Sequence, residues 1–480
     1  MINWKYIFHL LGILLVVEAG FMLIAILVSA LSGDMEFSAL LLAALLTGSL
    51  GGFLWSSTPR PEQHMGKREG YILVSLVWIC YAFFGAMPYF IGGYVQSFTD
   101  AWFESMSGLT TCGASILNDI ESLPRGILFW RAFTTGIGGM GILVMVIAIM
   151  PGYGTGNMML YRAESSEGSR LSPRIKDTAK WIILLYLGLI FFCFLLYLAG
   201  GMSIFDAVCH AFPTIATAGF SNKNASFAAY SPFIQYASML CMLLGSISFV
   251  VMISLLRGQF KKVWPAEELK LYLKVVLASV LFVFLVLVFR YQYALEPAFR
   301  DAGFQVISLI STTGFVTADY LQWGAPVFAT MFLLMLLGGC GGSTAGGIKM
   351  VRLLVLLRSV RVQFQKILHN RGMIFVKING QNVPEAMIYR TLAFLMIYLT
   401  AFSFGAFGLM LTGLDFESSL GASIASLSCV GPGLGTVGPV SNYAHLTDAA
   451  KYICTFLMLL GRLELYSFLI LFMPEFWRKQ

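Results

Sequence analysis

Four segments of this 480-residue chain begin with an acid beside or near a phenylalanine and end on a glycine: FTDAWFESMSGLTTCG, FDAVCHAFPTIATAG, FRDAGFQVISLISTTG and FESSLGASIASLSCVG. Asp100 precedes Gly113, Asp206 precedes Gly219 and Asp301 precedes Gly314 by 13 residues each, and Glu417 precedes Gly431 by 14. The chemistry such segments can do is coordination. Glycine has no Cβ, so a chain reaching it can adopt φ > 0 and turn its carbonyls toward an axis at no steric cost. Carbonyl oxygens around an axis can replace the water shell of a dehydrated cation. A helix ending there adds about half a negative charge from its dipole, which favours a cation. Glycine-broken packing loops are the plainer reading of one such segment, and four at near-constant spacing argue against it.

Covalent chemistry finds little support. The five histidines (His9, His64, His210, His369 and His445) are scattered, and the eight cysteines lie mostly inside apolar runs without CxxC pairs or a histidine at ligand spacing. The cysteines read as small hydrophobes, and no enzymatic activity is expected. GIGGMG at 136–141 fits GxGxxG, but it lies inside an apolar run with no preceding strand. It reads as tight helix packing, so no nucleotide is expected on this chain.

Membrane spans must position the four segments. The chain is 58% hydrophobic and 11% charged, too little charge to clothe a soluble surface. Ten apolar runs, at about 6–31, 37–55, 71–91, 127–149, 181–200, 233–256, 271–289, 326–357, 386–411 and 452–473, approach or exceed the roughly 20 residues that cross a ~30 Å hydrocarbon core. The first is too long for a signal peptide. Thirteen residues of helix cover only ~20 Å, so each acid-to-glycine segment is expected to enter the membrane and return by the same face. Returning backbone at membrane depth requires a cavity or a protein environment. The expected fold is therefore an all-α polytopic membrane protein of ten transmembrane helices. A two-helix hairpin, 1–57, precedes four span/pore-loop/span units, 68–150, 178–257, 268–368 and 384–480, around a pseudo-fourfold pore.

Charge sets the orientation. The connections carrying the short segments (92–126, 201–232, 293–325 and 413–447) hold ten Asp or Glu against three Lys or Arg, whereas the links between units (56–70, 151–180, 257–274 and 349–385) hold twenty Lys or Arg against eight acids. By the positive-inside rule the links are cytoplasmic, the glycines face outward, and both termini lie inside. The net charge of +7 thus reads as membrane orientation, and no nucleic acid is expected.

The four units, the leading hairpin, GGCGGSTAGGIKMVR in the third unit and GRLELY in the fourth resemble the superfamily of K⁺ transporters that includes TrkH, TrkG, KtrB and their fungal and plant relatives. The hairpin resembles the TrkH and TrkG branch, since KtrB chains lack it. The resemblance implies a K⁺ uptake protein of the bacterial inner membrane, a homodimer with one pore per subunit, gated by a cytosolic TrkA-type partner that binds NAD or ATP/ADP. On this resemblance the K⁺ selectivity filter is Thr110, Thr111, Cys112 and Gly113; Ala216, Thr217, Ala218 and Gly219; Ser311, Thr312, Thr313 and Gly314; and Ser428, Cys429, Val430 and Gly431. The fourth loop departs in lacking a threonine and in carrying Pro432 after its glycine. Each loop has one glycine where the tetrameric channel sequence TVGYG has two, so a shorter filter with fewer ion sites is expected. A Na⁺-coupled Ktr-type subunit is the alternative, and the coupling ion stays open.

The stretch 338–347 interrupts the eighth run with glycines that each cost up to ~1 kcal/mol in a helix. A kink is the bland reading. The resemblance implies an intramembrane gate loop formed by Gly338, Gly339, Gly341, Gly342, Ser343, Thr344, Gly346, Gly347 and Lys349. Arg462, a charge inside the last run, would act as a gating residue or ion barrier. Glu18 is expected to hydrogen-bond a neighbouring helix, and Arg131 to snorkel to the outer surface. The stretch Lys349–Lys377, with seven Lys or Arg, offers a docking surface for the cytosolic partner or a contact for anionic membrane lipid.

Overall fold

The computed structural model describes residues 2–34, 37–58, 66–149, 172–369 and 373–478. Helices Trp4–Leu31 (α1) and Ser38–Ser57 (α2) form a hairpin. Glycines permit its close approach, because a Cβ on Gly12 would stand 2.6 Å from Trp55 N and one on Gly51 2.9 Å from Gly12 O.

A long helix, a short helix and a further helix then recur four times. The first set is Lys67–Ile91 (α3), Phe98–Leu109 (α4) and Arg125–Ile149 (α5). The second is Ser172–Ala199 (α6), Ile204–Ala216 (α7), Pro232–Ser246 (α8) and Phe249–Leu256 (α9), followed by the single turn Phe260–Val263 (α10). The third is Glu267–Tyr291 (α11), Leu295–Ile310 (α12), Ala325–Leu337 (α13) and Met350–Leu368 (α14). A two-stranded antiparallel hairpin, Lys377–Ile378 with Gln381–Asn382, leads to Glu385–Leu411 (α15), Phe416–Leu427 (α16), Asp448–Arg462 (α17), Tyr466–Leu469 (α18) and Pro474–Trp477 (α19).

The acids that open the short segments have a local cause. Ser97 Oγ accepts from Asp100 N and Ser203 Oγ from Asp206 N, each at 3.1 Å, which puts the aspartate three residues into its helix, where it complements the dipole. Asp415 caps α16 by accepting from Ser418 N at 3.0 Å, with Glu417 in the first turn. The third segment differs: α12 starts at Leu295, with Glu296 in its first turn, so Asp301 sits farther along the helix.

Among the described residues, six helices are long and apolar enough to cross a membrane, or eight if each bent pair is one span. The protein is a multi-pass membrane protein. Its outward surface carries Leu27, Leu45, Phe53, Phe191, Leu277 and Phe404, all more than half exposed, while Thr110, Thr217, Thr312 and Ser428 are completely buried. Apolar outside and polar at the centre is the pattern lipid demands. Two runs expected to be continuous are broken. The run 233–256 bends by 104° between α8 and α9, and the run 452–473 bends by 105° between α17 and Tyr466–Phe472. Both breaks face the 338–347 stretch: at the first the loop's backbone bonds Gly245 O, Ser246 O and Phe249 N, and at the second the side chains of Arg462 and Glu464 reach Thr344 O, Lys349 and Arg352.

Candidate functional site

The four short helices end alike. Cys112 N, Ala218 N, Thr313 N and Val430 N reach back five residues to the carbonyls of Ser107, Pro213, Ser308 and Ala425 at 2.8–2.9 Å. The residue before each, Thr111, Thr217, Thr312 or Cys429, bonds three residues back at 3.0–3.3 Å. This is a Schellman ending, in which the left-handed position is usually glycine. Here threonine or cysteine occupies it, at φ 55°, 54°, 57° and 53°, although an L-residue there costs about 1–2 kcal/mol. The glycines two positions later are also left-handed, at φ 83°, 69°, 83° and 96°. Four independent segments therefore hold the same strained geometry, as functional backbone does.

The glycines close on one another in order. A Cβ on Gly113 would collide with the carbonyl oxygen of Ala218, one on Gly219 with that of Thr313, and one on Gly314 with that of Val430; on Gly431 it would stand 2.7 Å from the Cys112 carbonyl oxygen. The residue before each glycine thus presents its carbonyl to the preceding segment's glycine, and the cycle returns to its start. Thr110, Cys112, Ala216, Ala218, Ser311, Thr313, Ser428 and Val430 are all buried in this ring. Among the described residues, no hydrogen-bond donor reaches the carbonyls of Cys112, Ala218, Thr313 or Val430. Buried carbonyls without donors, at the negative ends of four helices, can serve a dehydrated cation.

Glycines on the outer helices let them reach the same point. A Cβ on Gly138 of α5 would strike the Leu109 carbonyl, and one on Gly461 of α17 the Leu427 carbonyl. The GIGGMG motif lies within α5, where Gly136 faces Phe212 and Gly139 faces Tyr186.

Beneath the ring, α13 ends at Gly338 (φ 72°) and α14 begins after Lys349 (φ 70°). The loop between them is held from several sides. Cys340 N donates to Ser246 O at 2.9 Å, Thr344 N to Gly245 O at 3.4 Å and Phe249 N to Gly342 O at 3.1 Å, so the break between α8 and α9 is satisfied by the loop. Gly341 N donates to Glu268 Oε1 at 2.6 Å. Thr344 Oγ1 donates to Ile215 O at 2.9 Å, and Gly346 N to Thr312 Oγ1 at 2.8 Å. A Cβ on Gly346 would collide with Ser428 O. Gly339 lies against Ser246, Gly347 against Gly338, and Ser343 Oγ donates to Cys340 O at 2.6 Å. The loop therefore touches the ends of the second, third and fourth short helices.

Arg462 is 3% exposed. Its Nη1 donates to Thr344 O in the loop at 2.9 Å and its Nη2 to Gly138 O on α5 at 3.0 Å. Two residues on, Glu464 (φ 53°) and Leu465 (φ 58°) make the sharp break that ends α17. The Glu464 carboxylate accepts from Lys349 Nζ at 2.8 Å and Arg352 Nη2 at 2.5 Å, and the Arg352 guanidinium lies 3.8 Å from the Phe394 ring centre. Glu464 and Glu268 were not legible as loop contacts, because their partners lie 112 or more and 73 residues away.

Two expected placements are corrected. Arg131 does not snorkel: it is 2% exposed, with Nε 2.6 Å from Glu104 Oε1, Nη1 donating to Ser221 O at 2.8 Å, and its guanidinium 3.7 Å from the Phe220 ring centre. A buried carboxylate on the adjacent short helix holds it inward, since breaking a buried ion pair costs more than reaching the surface returns. Glu18 lies buried near Gly85 of α3, and its Oε2 has no hydrogen-bond partner among the described residues.

Comparison with known proteins gives a consistent answer. The family described as TrkH, cation transport protein, matches residues 38–479. The chain is 35% identical to the Trk system potassium uptake protein TrkI of Halomonas elongata, covering 99% of this chain and 98% of that one. It is also 35% identical to the Trk system potassium uptake protein TrkH of Salmonella typhimurium, over 99% of this chain and all of the other. Its fold superposes on the crystal structure of the potassium transporter TrkH from Vibrio parahaemolyticus with a TM-score of 0.92 at 32% identity, covering 99% and 100% of the two chains.

Proposed function

Because the chain belongs to the TrkH family of cation transport proteins, we propose that it takes up K⁺ across the bacterial inner membrane through a channel-like pore, down the electrochemical gradient. The observation that carries this reading is the cyclic contact of Gly113, Gly219, Gly314 and Gly431 with the carbonyls of the neighbouring segments. On this reading the filter is the four tetrads ending on those glycines, and the ion is coordinated chiefly by backbone. The chain crosses the membrane ten times, as a hairpin (1–57) and four units (68–150, 178–257, 268–368 and 384–480), with both termini in the cytoplasm.

Residues 338–347 are the gate. Donation from Arg462 to Thr344 O and the grip of Glu464 on Lys349 and Arg352 support a loop held shut from the fourth unit. Arg462 also sets a fixed positive charge near the ion path. Opening needs the loop to move, and α14, which continues from it with Arg358, Arg361 and Lys366, is the handle for a cytosolic TrkA-type regulator. The names of the relatives as Trk system proteins support a multi-component system, and we read the chain as one half of a homodimer.

The test is flux of K⁺, Rb⁺ and Na⁺ into liposomes holding the purified protein. K⁺ and Rb⁺ entry well above Na⁺ is expected; equal rates for the three ions, or none, would refute the reading.

A further inference from the structure

Nine residues before each closing glycine stands a buried position on the short helix: Glu104, His210, Gln305 and Ala422. All four are 0% exposed. The three polar ones do the same thing with different chemistry, for each reaches the strand leaving its own ring segment. Glu104 accepts from Ser115 Oγ and Ile116 N, both at 3.0 Å, two and three residues past Gly113. His210 Nε2 lies 2.8 Å from Ser221 Oγ and 3.4 Å from Asn222 N, two and three residues past Gly219. Gln305 Nε2 donates to Thr317 Oγ1 at 3.4 Å and Ala318 O at 3.0 Å, three and four residues past Gly314. Ala422 has no polar group, and there the strand lies directly on the helix: a Cβ on Gly421 would stand 2.7 Å from Leu434 Cβ, three residues past Gly431.

The hydrogen-bond directions agree between the first two sites. Ser115 Oγ and Ser221 Oγ each accept a backbone N–H two residues on, from Leu117 at 3.2 Å and Lys223 at 3.0 Å, which leaves each hydroxyl proton for the brace. His210 Nδ1 lies 2.7 Å from the Asp206 carbonyl oxygen, an acceptor only, so Nδ1 carries the proton and Nε2 accepts. Neutral imidazole and carboxylate thus act as equivalent acceptors. The carboxylate needs a counter-charge, which Arg131 supplies while also donating to Ser221 O, so the first brace is tied to the second.

We propose that Glu104, His210 and Gln305 are positioning residues of the ion-binding ring: without touching the ion, they fix where each strand leaves its glycine and thereby the spacing of the carbonyls on which selectivity depends. This rests on the filter reading above. The repeat itself supplies the test, because glutamine is the native brace of the third unit. His210→Gln should keep the K⁺/Na⁺ flux ratio within about twofold of the parent, whereas His210→Leu, which strands buried donors, should lower it by about fivefold or more. Gln305→Leu, which takes the donor from the Ala318 carbonyl, should likewise lower the ratio. The measurement is the flux ratio in liposomes beside total uptake and melting temperature. Leucine variants that fold and keep the parent ratio, even with reduced total uptake, would overturn the proposal, as would a His210→Gln variant as damaged as His210→Leu. If His210→Leu does not fold, Gln305→Leu decides. Gly219→Ala in the same assay separates the two levels: an unchanged ratio there refutes the filter reading, whereas a lowered ratio with normal leucine variants refutes only the braces.

Discussion

Replacing Glu464 with glutamine weighs what holds the 338–347 loop in place. The side chain is 12% exposed and grips Lys349 (7%) and Arg352 (19%) at the loop's exit. Hydrogen bonds to charged groups contribute about 1.5–3 kcal/mol each. An amide of the same shape keeps one acceptor oxygen but no charge, so about one such bond is lost and both cations are left without their counter-charge. Only the part of this loss that differs between shut and open states moves the gating equilibrium. If most of it does, the open population measured without the cytosolic partner rises about 10- to 100-fold. The assay is single-channel recording of the purified protein in bilayers, with a melting curve to separate gating from general weakening. An unchanged partner-free open probability in Glu464→Gln, alongside a rise on deleting part of 341–346, would refute the latch and leave the gate loop standing.

Gly113→Ala and Gly219→Ala should lower the K⁺/Na⁺ flux ratio or abolish uptake, because each Cβ collides with a neighbouring carbonyl and the left-handed backbone costs about 1–2 kcal/mol more; parent ratios in both variants would contradict this. Reversing the charge of Arg358, Arg361 and Lys366 together should weaken binding of the cytosolic regulator, measured by co-purification from detergent, and unaltered binding would exclude α14 as the docking handle. Hydrogen bonds from Ser418 hold the Asp415 carboxyl below its usual pKa, so its contribution is present above the unfolded-state value and lost as pH falls through the depressed one. Acidification below about pH 4 should therefore lower the melting temperature by less in Asp415→Asn than in the parent, and identical acid limbs would show that this cap does not contribute.

The repeat was legible because its punctuation is local. In three of the four segments an acid in the first turn follows a capping side chain, and in all four a glycine past the helix end permits the turn, both within a few residues. The second left-handed position in each ring segment was not legible, since Thr111, Thr217, Thr312 and Cys429 are residues that helix-end rules place elsewhere. The broken spans were hidden for a different reason. Apolar runs 233–256 and 452–473 show no glycine or proline cluster at their bends, and the third unit supplies the backbone partners of the first bend and the partners of the Arg462 and Glu464 side chains at the second. Arg131 misled because its partner Glu104 sits on a different helix 27 residues away. The brace position, nine residues before each glycine, was in plain view but carried four unlike residues, so no shared letter marked it.

The mutual satisfaction of two broken helices bears on how the chain is made. Ser246 O and Phe249 N find their partners in Cys340 N and Gly342 O, which the ribosome adds about 90 residues later. At about 5–20 residues per second, those groups wait roughly 5–20 s within a membrane that cannot solvate them. A straight α8–α9 rod satisfies them in the interval at little cost, since 232–256 is apolar apart from Gln235, the Tyr236 hydroxyl and a few serines. The right-angle bend is then a late event, imposed when the third unit inserts. Arrested chains ending near residue 300 should bury the 247–249 segment as continuous helix, and site-directed labelling that found it already bent would show that the second unit shapes itself alone.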